Sequence, residues 1–348
     1  MSMPGQKHDE RITLLHGAGG ELQGELLARL LRSFQGSRRS AGGLGLDELD
    51  DSGSIPLPDG KHLVFTTDSH VVQPLTFPGG DIGQLAVAGT VNDLAVMGAQ
   101  PIALSCGLVI PEGFPIGELE RLLRSMDRAL EEAGVALITG DTKVLAHGEL
   151  DGLIINTAGV GLAERLITDS GLRAGDKLIV TGTVGDHGLA LLAHREGLEF
   201  ETELESDVAP INHLIMRALE AGGEGITAMK DPTRGGLAAC LNELARKSGM
   251  GLLIWEERIP MKPEARGLAE LLGINPLEIA SEGKAVIGVA PERAEAVLEA
   301  LRAHPQGREA ALIGEATREF PGKVILVTEV GGKRFLEPPL GDPVPRIC

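Results

Sequence analysis

Leu22, Leu26, Leu27, Leu30, Leu31 and Phe34 recur at near-helical spacing and predict a helix over Glu21–Phe34. A polar loop, Gln35–Gly43, follows, and His62–Val72 is β-rich with one acid inside it. Asp81, after Gly79-Gly80, is placed to cap an apolar helix that runs to Met97 and stops at Gly98. Ile116, Leu119, Leu122, Leu123, Met126 and Leu130 then form one face of a helix over Gly117–Ala133, with charges opposite. Strands are predicted at Val135–Thr139 and Leu153–Gly161.

The Arg173-Ala174-Gly175-Asp176 turn reads as a domain boundary, because a fresh strand (Lys177–Thr181) starts there. Beyond it the pattern predicts helices at Gly188–Glu196, Val208–Ala221, Gly236–Lys247 and Glu292–Ala303. Strands are predicted at Ile226–Met229, Gly251–Trp255, Lys284–Ala290 and Val324–Thr328. Strands and helices mix without a strict βαβ rhythm, which favours an α+β fold of two domains over one doubly wound sheet. The expected division is an amino-terminal segment with its helix (1–43), an amino-terminal domain (44–172), a carboxy-terminal α+β domain (173–336) and a tail (337–348). That tail, Glu337–Cys348, contains four prolines and reads as extended.

The net charge of −18 repels phosphate backbones and anionic bilayers, so neither nucleic acid nor membrane is an expected partner. Aromatics are 2% of the chain, too few to make stacking platforms for bases. Met1–Arg11 has no apolar core of a signal peptide, and no stretch has the roughly 20 apolar residues needed to span a bilayer. Cys106, Cys240 and Cys348 are too few and too scattered for a disulfide framework or a four-cysteine zinc site. A cytoplasmic protein is expected.

No phosphate-loop signature occurs, but glycine-rich turns open helices at His16–Gly20 and at Gly235-Gly236. Backbone amides at Gly19 and Gly20 can receive an anion there, or the glycines simply make tight turns. The carboxylates carry more information. Asp68 ends an apolar strand, Asp93 sits inside an apolar helix, and Asp141 and Asp231 follow strands; Asp50 and Asp51 form a further pair. Any one of them reads as a turn or a cap. As a set they read as a hard-cation site, because a carboxylate among apolar residues must be paired or bound to a cation. Lys143, Lys284 and Arg234 are the cations available to an anionic nucleotide. Glu282, beside Lys284, is either half of a surface ion pair or a general base. Cys348 is either incidental or a covalent carrier on a stiff arm of about 35 Å, with Arg346 favouring its thiolate.

These segments resemble one family across nearly the whole chain. HGAGG at His16–Gly20, TTDSHVV at Thr66–Val72, FPGGDIG at Phe77–Gly83 and GTVNDLAVMGA at Gly89–Ala99 are part of the likeness. GDTKV at Gly140–Val144, GDHG at Gly185–Gly188, DPTRGGL at Asp231–Leu237, EGK at Glu282–Lys284 and PRIC at Pro345–Cys348 complete it. The sequence is similar to the HypE family of hydrogenase-maturation carbamoyl dehydratases, in the PurM-like (aminoimidazole ribonucleotide synthetase) superfamily. The acidic and glycine motifs belong to the superfamily and imply ATP use; the PRIC ending is specific to this family.

The resemblance implies a two-domain PurM-like fold whose amino-terminal domains pair into a β-barrel across a homodimer, with ATP near the subunit interface. It implies that Cys348 is carbamoylated by the carbamoyltransferase HypF, and that the resulting S-carboxamide is dehydrated with ATP to an S-cyanate. The cyanide then passes to a HypC–HypD iron scaffold for the [NiFe]-hydrogenase centre. Mg2+ is implied on Asp68, Asp93 and Asp231, and nucleotide contacts on Asp50, Asp51, Asp141, Gly19, Gly20 and Arg234. Lys143 is expected to orient the carboxamide or the transferring phosphoryl oxygens, and Glu282 to take the amide protons. Two rivals remain: a superfamily synthetase making a phosphorylated small molecule, and a non-catalytic scaffold with a docking tail. A selenophosphate-type enzyme would want a reactive cysteine in the first glycine loop, and HGAGG has none.

Overall fold

The computed structural model describes residues 11–17, 19–34, 36, 38–198, 204–341, 344 and 346–348. Ala18 of HGAGG, Gln35 and Ser37 of the polar loop, most of Met1–Arg11, and Asp342, Pro343 and Pro345 of the tail lie outside the described residues.

After helix α1 (Glu21–Leu31), the amino-terminal half builds a five-stranded sheet from β1 (Gly53–Pro56), β2 (His62–His70), β5 (Gln100–Pro111), β6 (Ala136–Leu145) and β7 (Ile154–Ala163). A two-stranded hairpin, β3 (Thr76–Phe77) and β4 (Gly80–Asp81), leads into α2 (Ile82–Val96), and α3 (Ile116–Ala133) connects β5 to β6. The strand order is β1-β2-β7-β5-β6, antiparallel except for the parallel β5–β6 pair, whose crossover is α3. The sheet is open within one chain, with β1 and β6 at its edges.

The Asp81 carboxylate caps α2 by accepting from the Gly83 and Gln84 amides at 2.9 and 3.2 Å. α2 is apolar on every side because every side is covered: it packs on β2 and β7, on α3, and on the carboxy-terminal half. α3 instead buries one stripe, including Leu122, Met126 and Leu130, and ends at Gly134 with φ +68°.

The carboxy-terminal half is a seven-stranded sheet in the order β14-β13-β10-β12-β8-β11-β9. Its strands are β8 (Lys177–Val180), β9 (Ile226–Lys230), β10 (Gly251–Trp255), β11 (Val286–Val289), β12 (Ala311–Thr317), β13 (Val324–Val327) and β14 (Lys333–Phe335). Helices α4 (Asp186–Arg195), α5 (Asn212–Gly222), α6 (Gly236–Ser248), α7 (Pro263–Leu272) and α8 (Ala294–Arg302) surround it. One apolar cluster joins Ala95 and Val96 of α2 to Ile211, Leu214 and Ala218. A second joins α2 and α3 to α4, α7 and two tail residues, Val344 and Ile347.

Several expectations change. α1 stops at Leu31, leaving Phe34 exposed beyond it. α5 starts at Asn212 rather than Val208, because Pro210 keeps its neighbour out of helical geometry. β2 runs through Asp68, and β6 runs through Asp141 and Lys143, so these residues lie within strands and not after them. The long strand β5, β12 and α7 escaped the pattern reading. β5 is interrupted by Gly107 and polar residues, because its half-buried positions need no strict alternation. The tail is a docked segment with Val344 and Ile347 buried, not a free arm. No helix among the described residues is long and apolar enough to cross a membrane.

Candidate active site

The interdomain cleft gathers acids from four places: the loop before β1, strand β2, helix α2 and the turn after β9. Asp93 projects from α2 to accept from the Thr66 hydroxyl of β2 at 2.9 Å. Its carboxyl is held well above the ordinary range, first by burial and then by Asp231, Asp51 and Asp68. Asp231 is pushed up to about 7 by burial and by Asp51. Asp50 also rises to about 7, through burial, Asp169 and Asp51. Lys230 answers this charge at the end of β9. Its ammonium pairs with Asp51, with Glu243 at 3.3 Å and with Asp169 at 3.9 Å. Burial opposes that ammonium, but the surrounding carboxylates outweigh it and keep it charged. Lys247 bonds Asp169 at 2.5 Å.

Asp68 is half-exposed on β2, its Oδ2 3.5 Å from the His70 ring. Residue 89 of α2 faces this pair and must be small: a Cβ there would lie 2.8 Å from the His70 ring and 3.2 Å from Asp68 Oδ2. Burial lowers the His70 pKa more than Asp68 raises it.

The tail enters this cleft. Its backbone runs antiparallel to residues 71–73, with the Val71 and Gln73 amides donating to the Cys348 and Arg346 carbonyls at 3.3 and 3.2 Å. Arg234, from the turn before α6, donates to Cys348 Sγ at 3.0 Å. Burial nevertheless pushes this thiol up to about 12, with Arg234 opposing, so the docked sulfur carries its proton. The cation at the thiol is therefore Arg234; Arg346, expected there, instead binds Asp151 at 2.6 Å and the Gln73 side chain at 2.8 Å.

Glu282 is 3% exposed, and its carboxyl is driven well above the usual range by burial, then by Asp231, Asp207 and Asp68. Its main chain is fixed independently of that carboxyl. The amide donates to Asp207 at 3.1 Å, and the carbonyl accepts from Asn92 at 3.3 Å. Lys284 pairs with Asp207 at 3.1 Å.

The first glycine loop lies over the Arg234 turn. A Cβ at Gly19 (φ +77°) would sit 2.6 Å from the Arg234 carbonyl, and one at Gly20 2.1 Å from that of Pro339.

Asp141 and Lys143 are not brought into this cluster. They pair with each other at 3.5 Å on the exposed edge strand β6. In the sheet order β2-β7-β5-β6 that edge is three strand spacings from β2, about 14 Å.

As they stand, no three His, Cys, Asp or Glu side chains among the described residues are close enough to hold an ion together. Two buried oxygens nevertheless lack any partner at the centre of the cluster, Asp51 Oδ2 and Asp231 Oδ2. Such orphaned, mutually repelling carboxylates fit a divalent cation, which would satisfy both.

Residues missed in the sequence were Lys230, Asp169, His70, His187 and Asp207. Lys230, a charge ending a five-residue strand buried throughout, carried a usable signal, and His70 lies two residues from its partner Asp68; Asp169, His187 and Asp207 depend on contacts farther apart in sequence.

Residues 49–163 match the N-terminal domain of the AIR synthase related proteins, and residues 173–327 match their C-terminal domain. The carbamoyl dehydratase HypE of Rhizobium leguminosarum bv. viciae is 48% identical over 342 residues, spanning 97% of this chain and 95% of that one. Among solved structures, the fold is similar to that in a HypE–HypF complex (TM-score 0.84, 39% identity, 92% of this chain and 100% of that one). It is also similar to HypE in complex with ATP (TM-score 0.80, 39% identity, 97% of this chain and 100% of that one).

Proposed function

The chain belongs to the carbamoyl dehydratase HypE family of AIR synthase related proteins, and on that premise we propose that it uses ATP to dehydrate an S-carboxamide on its own Cys348 to the S-cyanate. The observation that carries this reading is the docked tail. It brings Cys348 Sγ to 3.0 Å from Arg234, beside the buried Glu282 and the acid cluster.

The reaction makes a leaving group of an amide oxygen. The carboxamide oxygen attacks the γ-phosphorus of ATP, ADP departs, and one N–H proton is lost. The C–O bond then breaks, its electrons leave with phosphate, and removal of the second N–H proton completes C≡N. The balance is S-carboxamide plus ATP to thiocyanate (the S-cyanate), ADP and phosphate, with no redox change. Glu282 takes the protons, since a carboxyl with a raised pKa is a stronger base once ionised. Arg234 stabilises charge on the transferring oxygens, and the docked thiol stays neutral until it is loaded. Mg2+ would be held by Asp68, Asp93 and Asp231 together with Asp51, and would neutralise charge on the triphosphate.

HypF is the source of the carbamoyl group in this reading, supported by the likeness to the HypE–HypF complex. A HypC–HypD scaffold is the acceptor of the cyanide. The ten-residue strand β6, with Ile138 69% exposed and Leu137 and Val144 also exposed, supports a homodimer that covers this edge. Asp141 and Lys143 then contribute from the dimer interface.

The test is the intact mass of the carboxy-terminal peptide after incubation with HypF, carbamoyl phosphate and MgATP. A carbamoyl adduct on Cys348 that loses one water only when ATP is present is expected. An unmodified Cys348 beside an active HypF would overturn the reading in favour of a small-molecule synthetase.

A further inference from the structure

Besides its backbone pairing with residues 71–73 and the Arg234–Sγ bond, the tail is held by two sets of side-chain contacts of different character. The outer set is exposed: the Arg346 guanidinium on Asp151 at 2.6 and 3.1 Å and on the Gln73 side chain at 2.8 Å. Both partners of that ion pair are largely in solvent, so water and salt screen it and it holds the tail weakly. The inner set is sealed, and it centres on the residue before the reactive cysteine.

Ile347 is 2% exposed and fills a slot on the first turn of α4. The slot exists because residue 188 is glycine. A Cβ there would lie 2.7 Å from Ile347 Cδ1 and 2.5 Å from Ile279 Cγ2. His187, fully buried on the same turn, reaches the Ile347 carbonyl oxygen with Nε2 at 2.8 Å. Its other nitrogen, Nδ1, lies 2.8 Å from the Ser206 hydroxyl. Phe77 sets the plane of the ring through an edge contact, with centroids 5.2 Å apart. A neutral imidazole satisfies both ends at once, donating from Nε2 to the carbonyl and accepting at Nδ1 from Ser206. Burial, which lowers the His187 pKa, favours that form.

One peptide unit separates the Ile347 carbonyl from Cys348. Fixing that carbonyl and that side chain leaves the cysteine few orientations, and the one it adopts directs Sγ at Arg234. We propose that His187 is a positioning residue for the tail. Together with the Gly188 slot for Ile347, it sets where the modified sulfur sits during dehydration, while the exposed Arg346 contacts only slow the tail's departure. This rests on the dehydratase reading for its role in turnover, but not for the anchoring itself.

The test separates the two. The first arm needs neither HypF nor ATP: the full chain is treated with iodoacetamide, and modification of Cys348 is followed by peptide mass spectrometry. His187→Ala and Ile347→Ala are both expected to react at least tenfold faster than the unaltered protein, because each frees the thiol from its docked site. Ile347→Ala removes only the tail's share of the cluster formed by α2, α3, α4 and α7, so it decides the matter should His187→Ala fail to fold. Asp151→Asn is expected to accelerate the reaction less than threefold. In the second arm, tails loaded by HypF are given MgATP. His187→Ala is expected to accept the carbamoyl group at least as fast as the unaltered protein and to dehydrate it at least tenfold more slowly, with Ser206→Ala in between.

Alkylation of both His187→Ala and Ile347→Ala within twofold of the unaltered rate overturns the anchoring. Faster alkylation with an unchanged dehydration rate overturns the positioning role. Should the unaltered protein show no dehydration at all, the dehydratase reading falls and the alkylation arm alone judges the anchor.

Discussion

Replacing Glu282 by Gln separates two properties that usually move together. One oxygen of the buried carboxyl has no partner, and burial, then the neighbours Asp231, Asp207 and Asp68, raise its pKa. Gln keeps the shape and carries no charge, so the substitution removes a repelling group from an acid cluster without opening a cavity. The main chain at this position is held by Asp207 and Asn92, neither of which touches the altered group through these bonds. Stability is therefore expected to hold or rise. Catalysis is expected to fall, because Gln cannot take the amide protons: the loss of a general base costs about 10²–10⁴ in rate. That is about 3–5 kcal/mol of barrier. The assay loads Cys348 with HypF, confirms a normal extent of carbamoylation by mass, and then times the loss of water after MgATP is added, alongside a thermal melt. A normal dehydration rate would refute the proton-acceptor role. A melting point several degrees lower would refute the electrostatic reasoning, since it would mean that the ionised carboxylate had a stabilising partner.

Other consequences follow from the same geometry. Lys230→Met leaves Asp51 buried without its cation, while Asp169 keeps Lys247, and is expected to destabilise by about 3–5 kcal/mol in denaturant titration. Adding Asp51→Asn should recover part of the loss, and a change below about 1 kcal/mol would refute the pairing. Ile138→Asp with Val144→Asp places charge on the exposed edge strand β6 and is expected to shift sedimentation from dimer to monomer; an unchanged sedimentation coefficient would remove β6 from the interface. Burial raises the docked Cys348 thiol from 9.0 to about 12, so docking favours the protonated form. That preference is complete below pH 9 and is lost as pH rises from 9 towards 12. Iodoacetamide at about pH 8.5 is expected to modify Cys348 in the protein at least tenfold more slowly than in a peptide of the tail sequence, with the gap closing above pH 10. Equal rates at the lower pH would refute burial of the sulfur.

What could be read directly from the sequence was local. The cap of α2 at Asp81, the amphipathic stripe of α3 and the strand openings at Lys177 and Ile226 each depend on residues within a few positions of one another. The acid-rich motifs and the terminal cysteine were equally visible, because a carboxylate inside an apolar helix is costly wherever the chain goes. Long-range pairing was not visible. Whether Asp231 meets Asp93, whether Lys230 or a metal answers Asp51, and whether Arg234 or Arg346 stands at the thiol are decided by two domains closing over α2. Asp141 and Lys143 look like their fellows in sequence, yet β6 carries them to an open edge. The tail shows the division most clearly. Its prolines make it extended in any setting, but only the slot at Gly188 and the carbonyl bond from His187 turn an extended segment into a docked one. Conformational preference acts between neighbours along the chain. Burial and charge pairing act across space, so they take effect only once the fold brings the partners together.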